Sequence, residues 1–204
     1  MPEAGAPLLL ASASPYRRKI LEAAGVAFEV VVAGVDEDVL KQELAQRSRE
    51  PTATEVAQAL ARAKAAAVSA KHPNAIVIGA DQVLALGDEL LDKPGTSAAA
   101  RTQLARLRGR THRLVSAVTI AEGGKAVWSH VGEAVLTMRA FSDAFLDRYI
   151  AAAGPRIAGI VGAYEIEGRG IQLFDRVEGD HFTIIGLPLV PLLAELRSRG
   201  VIET

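Results

Sequence analysis

The sequence predicts an α/β protein with a twisted mixed β-sheet flanked by helices, and three observations lead there. Short apolar runs at 7–11 and 75–80 read as buried strands. Capped helical segments alternate with them, as the covering layers of a sheet must. Two longer strand candidates, Arg113 to Ala121 and Lys125 to Met138, meet at Gly123-Gly124, and such a close turn pairs strands antiparallel, so the sheet is not a regular doubly wound one.

Taken in order, Pro7 to Ala11 is apolar and runs into small polar residues, as a buried strand entering a loop does. Ser14 stands at a helix N-cap, with Pro15 at the first helical position, Ile20 and Leu21 facing inward and Gly25 as the stop. Phe28 to Val32 reads as a second strand, with Asp36 and Glu37 in the loop after it. Thr52 and Glu55 have capping-box spacing and open an alanine-rich helix to about Ala70 that contains Lys64 and ends at His72-Pro73. The run AIVIGA at 75–80 is a strand with Asp81 expected at its C-terminal end, a usual position for active-site carboxylates in α/β proteins.

Val83 to Leu91 predicts a hairpin turning at Gly87-Asp88, and Lys93-Pro94 leads to a helix from Thr96 to Leu107. Beyond the long strand pair, Ser142 caps a helix that stops near Gly154. The loop GIVGAYEIEGRG follows with glycines at 159, 162, 168 and 170, a density that implies backbone held close to something. Ile171 to Val177 predicts a strand, and Leu187 to Arg199 a last helix in which Pro188 and Pro191 are confined to the first turn.

Half of the 204 residues are hydrophobic, enough for one sizeable core and one or two small domains; with no clear linker, the chain reads as a single domain over 1–204. Lys plus Arg number 23 against 24 Asp plus Glu, so no overall field recruits nucleic acid or an anionic membrane, and any polyanion site must be built locally. Aromatic residues make up 4%, too few for a basic stacking surface, which further disfavours nucleic acid as a partner. The absence of cysteine excludes a disulfide framework, a thiolate zinc site and a Cys nucleophile, and suits a reducing cytoplasm. No run reaches the roughly 18 apolar residues of a membrane span. Glu3 before a short apolar run, with basic residues behind it, is the reverse of a secretory signal.

Several residues are candidates for chemistry, each with a plainer alternative. The turn Ser12-Ala-Ser-Pro-Tyr-Arg-Arg offers two hydroxyls, helix N-terminal amides and the guanidinium of Arg17 to a phosphate, or is an ordinary N-cap with surface arginines. Asp81 suits a metal ligand or the orienter of an attacking water, or caps a hairpin turn. Lys64 and Lys93 can neutralise a pyrophosphate leaving group, or are solvated lysines. Asp36-Glu37 can supply a metal oxygen, or is a solvated acidic loop. The histidines at 72, 112, 130 and 181 have no metal-type spacing and read as structural. No G-x-S-x-G elbow surrounds Ser12 or Ser14, which disfavours Ser-His-Asp catalysis.

The segments LLASASPYRRKIL, ALARAKA, IGADQVLALGDELLDKP, LRGRTHRLVSAV, GAYEIEGRGI and GLPL, in this order over about Leu8 to Leu196, resemble the Maf family of nucleotide pyrophosphatases. The resemblance implies a two-lobed body related to the inosine triphosphate pyrophosphatases, with the nucleotide in a central cleft and usually a homodimer. It implies roles for Ser12, Ser14 and Arg17 in the phosphate-binding turn, Glu37 as a metal-side acid, Lys64 and Lys93 as phosphate-binding lysines, and Asp81 as catalytic acid and metal ligand. The implied reaction needs Mg²⁺ or Mn²⁺ and splits a nucleoside triphosphate between its α and β phosphates, releasing a monophosphate and pyrophosphate, in a house-cleaning role. The family's name comes from an effect on septum formation, so the competing expectations are a regulator of cell division acting by protein binding and a pyrophosphatase of the dTTP/UTP type.

Members resembling dTTP/UTP pyrophosphatases carry Arg after the Ser-Pro, Thr after the catalytic Asp and Gln in a GAYGIQG loop. Tyr16, Gln82 and Glu167 stand there instead and resemble the members that hydrolyse 7-methyl-GTP. An ionised Glu167 only accepts hydrogen bonds, which suits the N1–H and N2–H₂ edge of guanine, and Tyr16 offers a face to a cationic methylated base. The plainer alternative pairs Glu167 with Arg169 or Arg176 at the surface.

Overall fold

The computed structural model describes residues 6–46 and 49–203. Strand β1, Leu8–Leu10, lies parallel between β2, Glu29–Val30, and β3, Ile76–Leu86. Strands β4 (Glu89–Leu91), β5 (Thr111–Glu122), β6 (Lys125–Met138) and β7 (Phe174–Glu178) pair antiparallel. The result is one mixed sheet of order β2-β1-β3-β5-β6-β7, with β4 also on β3. Helices α1 (Pro15–Ala23), α2 (Glu37–Ala45), α3 (Ala53–Ser69), α4 (Ser97–Leu107), α5 (Asp143–Ala153), α6 (His181–Ile185) and α7 (Leu189–Ser198) cover it. Among the described residues no helix is long and apolar enough to cross a membrane.

Helix starts follow the capping chemistry. Ser14, Thr96 and Ser142 each accept a hydrogen bond from the first turn, and Thr52 with Glu55 forms both halves of a capping box. Alternation along β3 then sorts its side chains. Ile78 and Ala80 pack with Leu10, Leu21, Leu187 and Leu192 on one face, whereas Val83 and Ala85 pack with Ala57 and Ala61 of α3 on the other. Beyond Gln82 the first face passes to a second core, in which Leu84 and Leu86 meet Leu104, Leu107 and Leu146 of α4 and α5. Each fully buried leucine there contributes about 2 kcal/mol from leaving water. The change of core at the middle of β3 divides the body into two lobes.

Gly79 sets the height of α3 above this strand. A Cβ there would stand 2.3 Å from the Ala61 carbonyl oxygen and 2.6 Å from the Ala65 nitrogen, so helix and strand approach with only backbone between them. Ala57, Ala61 and Ala65 are fully buried along the same stripe. Lys64, one residue from that stripe, is thereby brought over β3.

Four sequence expectations are corrected. Asp81 does not end a strand; it is the sixth residue of the 11-residue β3, which continues because the apolar VLAL that follows is covered on both faces. Glu37 is not in a loop, since Asp36 accepts from the amides of Asp38 and Val39 at 3.1 Å and starts α2. The strand read at Phe28 to Val32 shrinks to two residues. Arg169–Leu173 forms a 3₁₀ turn, so β7 begins only at Phe174. Helix α6 was not foreseen, although Asp180 and Thr183 carry its cap: the Asp180 carboxylate accepts from the Thr183 amide at 2.7 Å.

Candidate active site

The sheet leaves a gap at its centre. Strand β1 pairs with β3 only at 76–78, and β4 only at 84–86, so among the described residues the edge of β3 between them has no neighbouring strand. The Ser-rich turn before α1 fills part of it. Arg17, buried in the first turn of α1, donates from Nη1 to the Ala80 carbonyl at 2.9 Å, and thus supplies the partner that a strand would have given. It also donates from Nη1 to Ser12 Oγ at 3.2 Å and from Nε to the Gly186 carbonyl at 2.8 Å. Burial pulls the Arg17 pKa down, against the opposing charges of Asp81 and Glu37. Nη2 makes no hydrogen bond among the described residues and keeps two hydrogens to donate.

Both serine oxygens are acceptors within the turn. Ser12 Oγ receives the Ser14 amide at 3.3 Å as well as Arg17, and Ser14 Oγ receives the Arg17 amide at 3.5 Å. Each hydroxyl hydrogen remains to be donated. A phosphate oxygen entering the gap meets two hydroxyls and a guanidinium edge.

Asp81 and Gln82 are adjacent in β3 and therefore point to opposite faces. On the α3 face, Lys64 Nζ lies 2.6 Å from Asp81 Oδ1 and 2.6 Å from Glu37 Oε1. Burial raises the Glu37 pKa, but the hydrogen bond and charge of Lys64, with Lys93 and Lys41 further off, outweigh it and hold the carboxyl below its usual value. Lys93, exposed after β4, is thus within electrostatic reach of Glu37, while Lys41 is paired with Asp92. Among the described residues no group of three or more His, Asp or Glu side chains is placed to hold a metal. The converging pair Glu37 and Asp81 fits a dication only if phosphate oxygens and water complete its shell, which is the usual arrangement for magnesium.

On the other face, Gln82 lines a pocket with Tyr16, Tyr164, Glu165, Ile184 and Glu167. Its amide nitrogen donates toward Ser116 Oγ, the Thr183 carbonyl and the Ile184 carbonyl, each at 3.0 Å. Ser116 in turn donates to the Thr183 carbonyl at 2.8 Å, so its oxygen is free to accept from Gln82. Three acceptors around the nitrogen fix the amide and turn Oε1 away from them as an acceptor with no partner among the described residues. Glu167 is exposed at the pocket rim, and no ion pair joins it to Arg169 or Arg176 among the described residues; Arg176 pairs with Glu178.

The positions singled out in the sequence therefore form three groups around the middle of one strand. Ser12, Ser14 and Arg17 lie in the gap, Glu37, Lys64 and Asp81 on the α3 face with Lys93 near them, and Tyr16, Gln82 and Glu167 around the pocket. The sequence reading missed Glu165, which accepts from Tyr16 OH at 2.5 Å and pairs with Arg156 at 2.7 Å. A visible signal was the acidic pair in GAYEIEG. It also missed Ser116, which only the register of β5 against β3 brings opposite Gln82.

The protein family described as Maf-like protein matches residues 7–199. The chain is 49% identical over 196 residues to the 7-methyl-GTP pyrophosphatase of Brucella abortus biovar 1 (strain 9-941), covering 96% of this chain and 98% of that protein. It is 51% identical over 196 residues to the nucleoside triphosphate pyrophosphatase of Caulobacter vibrioides (strain ATCC 19089 / CIP 103742 / CB 15), covering 96% and 97%. A solved dITP/XTP pyrophosphatase of Mycobacterium abscessus aligns over 96% of this chain and 95% of its own at 16% identity and a TM-score of 0.38.

Proposed function

The chain belongs to the Maf family, and from that premise we propose that it is a nucleoside triphosphate pyrophosphatase acting on 7-methyl-GTP or another modified guanine-type nucleotide. It hydrolyses the bond between the α and β phosphates and yields a nucleoside monophosphate and pyrophosphate. The observation that carries this reading is the gap in the sheet edge at β3, which a nucleotide can straddle with its phosphates toward Asp81 and its base toward Gln82.

In this reading Asp81 orients a water and takes its proton as the oxygen attacks the α-phosphorus, and the bridging P–O bond to the β-phosphate breaks. Ser12 and Ser14 donate their hydroxyl hydrogens to phosphate oxygens, and Arg17 offers Nη2. Lys64 and Lys93 offset the charge that develops on the leaving pyrophosphate, the electrostatic contribution that dominates such transfers. Glu37 and Asp81 are the residues that would hold Mg²⁺ or Mn²⁺, whose charge would lower the repulsion met by the incoming water.

For the base, Gln82 Oε1 and the Glu167 carboxylate are both acceptors and suit guanine's N1–H and N2–H₂. The pocket adds the ring of Tyr16, and a cationic 7-methylated base gains from both the aromatic face and the carboxylate. The lack of cysteine supports a reducing cytoplasm as its place of action, and the family resemblance supports a homodimer.

The test is pyrophosphate release from 7-methyl-GTP, GTP, dTTP and UTP with Mg²⁺ or Mn²⁺, and again with EDTA. Release is expected to be fastest from 7-methyl-GTP and to stop with the chelator. Fastest release from dTTP or UTP would overturn the base assignment, and none from any nucleotide would overturn the activity. A sedimentation mass of a single chain at working concentration would overturn the dimer.

A further inference from the structure

We propose that Glu165 is the positioning residue of the base pocket: its carboxylate, anchored by Arg156, holds the ring of Tyr16 in place as the pocket wall. The inference rests on the reading of this pocket as the base site. One carboxylate oxygen of Glu165 accepts from Tyr16 OH at 2.5 Å, and the other receives Arg156 Nε at 2.8 Å and Nη2 at 2.7 Å. Both oxygens are thus engaged within the protein, and the arginine charge offsets the carboxylate. Glu167 is left as the acidic group facing a base.

The backbone of Glu165 is fixed as firmly as its side chain. Its carbonyl accepts from the Gly168 amide at 3.2 Å, and a Cβ on Gly170 would stand 2.4 Å from that carbonyl oxygen and 2.9 Å from the Glu165 nitrogen. The last glycine of the loop is therefore required to seat Glu165, which explains part of the glycine density of this segment.

Tyr16 needs such a restraint because it has open space on both sides. It lines the pocket that holds Gln82 and also a second hollow formed by Ile20, Phe182, Ile185 and Leu189. A phenol ring without its hydrogen bond can swing toward that hollow, and the base would then have to reorder it on binding. Fixing the ring beforehand removes that cost from substrate affinity. Glu165 acts on the base through Tyr16 and its side chain bonds only Tyr16 and Arg156 among the described residues, so its loss reads out in KM and not in kcat.

The experiment is a double-mutant cycle of Glu165→Ala and Tyr16→Phe, with Glu165→Gln as the conservative variant. Pyrophosphate release is followed on the nucleotide that the wild type turns over best. Glu165→Ala is expected to raise KM about tenfold, the effect of losing a hydrogen bond to a charged group, and to leave kcat within about twofold. Tyr16→Phe is expected to match it, and the double variant to be no worse than either single one. Glu165→Gln keeps an oxygen for the phenol and is expected to restore most of the affinity.

An unchanged KM in Glu165→Ala would overturn the proposal, as would effects of the two substitutions that multiply. If Glu165→Ala does not fold, Tyr16→Phe and Glu165→Gln decide it, since they preserve the loop: an unchanged KM in Tyr16→Phe, or a Glu165→Gln effect in full on the Tyr16→Phe background, overturns it. The wild-type nucleotide panel scores the base assignment separately. A dTTP preference would remove that assignment while the cycle still scores the positioning on dTTP, and a wild type that hydrolyses nothing would overturn both.

Discussion

The ammonium of Lys64 lies 2.6 Å from Asp81 Oδ1 and 2.6 Å from Glu37 Oε1, so a single positive charge ties the middle of β3 to the first turn of α2. Lys64→Ala leaves two carboxylates facing each other. Because Glu37 is partly exposed to water, the expected loss of stability is about 2 kcal/mol, below the cost of breaking a fully buried pair. Pyrophosphate release should fall at least about a hundredfold, since the same ammonium serves the leaving group. Denaturant titration and the release assay measure the two effects, and full activity in the variant would remove Lys64 from the site.

Asp81→Asn separates charge from shape. The amide keeps a carbonyl oxygen for Lys64, and Glu37 keeps its own bond to the same ammonium, so the melting temperature should change little. The side chain can no longer take a proton from water, and the rate should drop by about three orders of magnitude. A variant that stays active would show that the proton goes elsewhere.

Gly79→Ala tests how the fold sets that contact. The added methyl would meet the Ala61 carbonyl at 2.3 Å and the Ala65 amide nitrogen at 2.6 Å, both backbone atoms that cannot turn aside. Helix α3 must lift from β3 at an expected cost of about 3 kcal/mol, and Lys64 rises with it. Activity should fall in the fraction that remains folded, which thermal melts and release measured well below the melting temperature separate. Wild-type stability in this variant would mean that α3 does not pack on the strand as described.

How far the sequence discloses this depends on the range of each interaction. Ser14, Thr52, Thr96 and Ser142 bond within their own first turns, so a window of four residues is enough to see them. Asp36 offers the same local signal, but the short segment EDVLKQELA is largely polar, and the helix it starts is placed by packing on α3 and by the ion pairs of Glu37 and Lys41. Asp81-Gln82 looked like a strand end because two polar residues interrupt an apolar run. They are tolerated inside β3 because Lys64 pairs with Asp81 and because Ser116 and the Thr183 and Ile184 carbonyls accept from Gln82, partners distant in the chain that no local pattern encodes. For the same reason Tyr16 and Gln82 could be picked out by type and resemblance, whereas Glu165 and Ser116 depend on partners 149 and 34 residues away.

Gln82→Glu follows from the fixed amide. The nitrogen faces the Thr183 and Ile184 carbonyls at 3.0 Å, and a carboxylate oxygen in its place would oppose two acceptors. The expected cost is about 2 kcal/mol, as for a part-buried acceptor left without a donor, and it should ease at acid pH as the new carboxyl gains a proton. Melting curves at pH 5 and pH 8 would measure this, and equal destabilisation at both would argue against the assigned orientation.

His112 is 1% exposed and packed against the rings of Tyr164 and Phe174. Nε2 lies 2.7 Å from Tyr164 OH, and Nδ1 has no hydrogen-bond partner among the described residues. Burial pulls its pKa from the ordinary 6.5 to about 4, so the unfolded chain takes up a proton at a pH where the native protein does not. Stability from this residue is therefore complete above the unfolded value and drains away as pH falls from about 6.5 to about 4. Below that both states are protonated and the loss stops, at no more than about 3 kcal/mol. Unfolding free energies measured across this window should decline in the wild type and decline less in His112→Asn, whose side chain does not titrate. Parallel curves for the two proteins would show that the proton goes to another group.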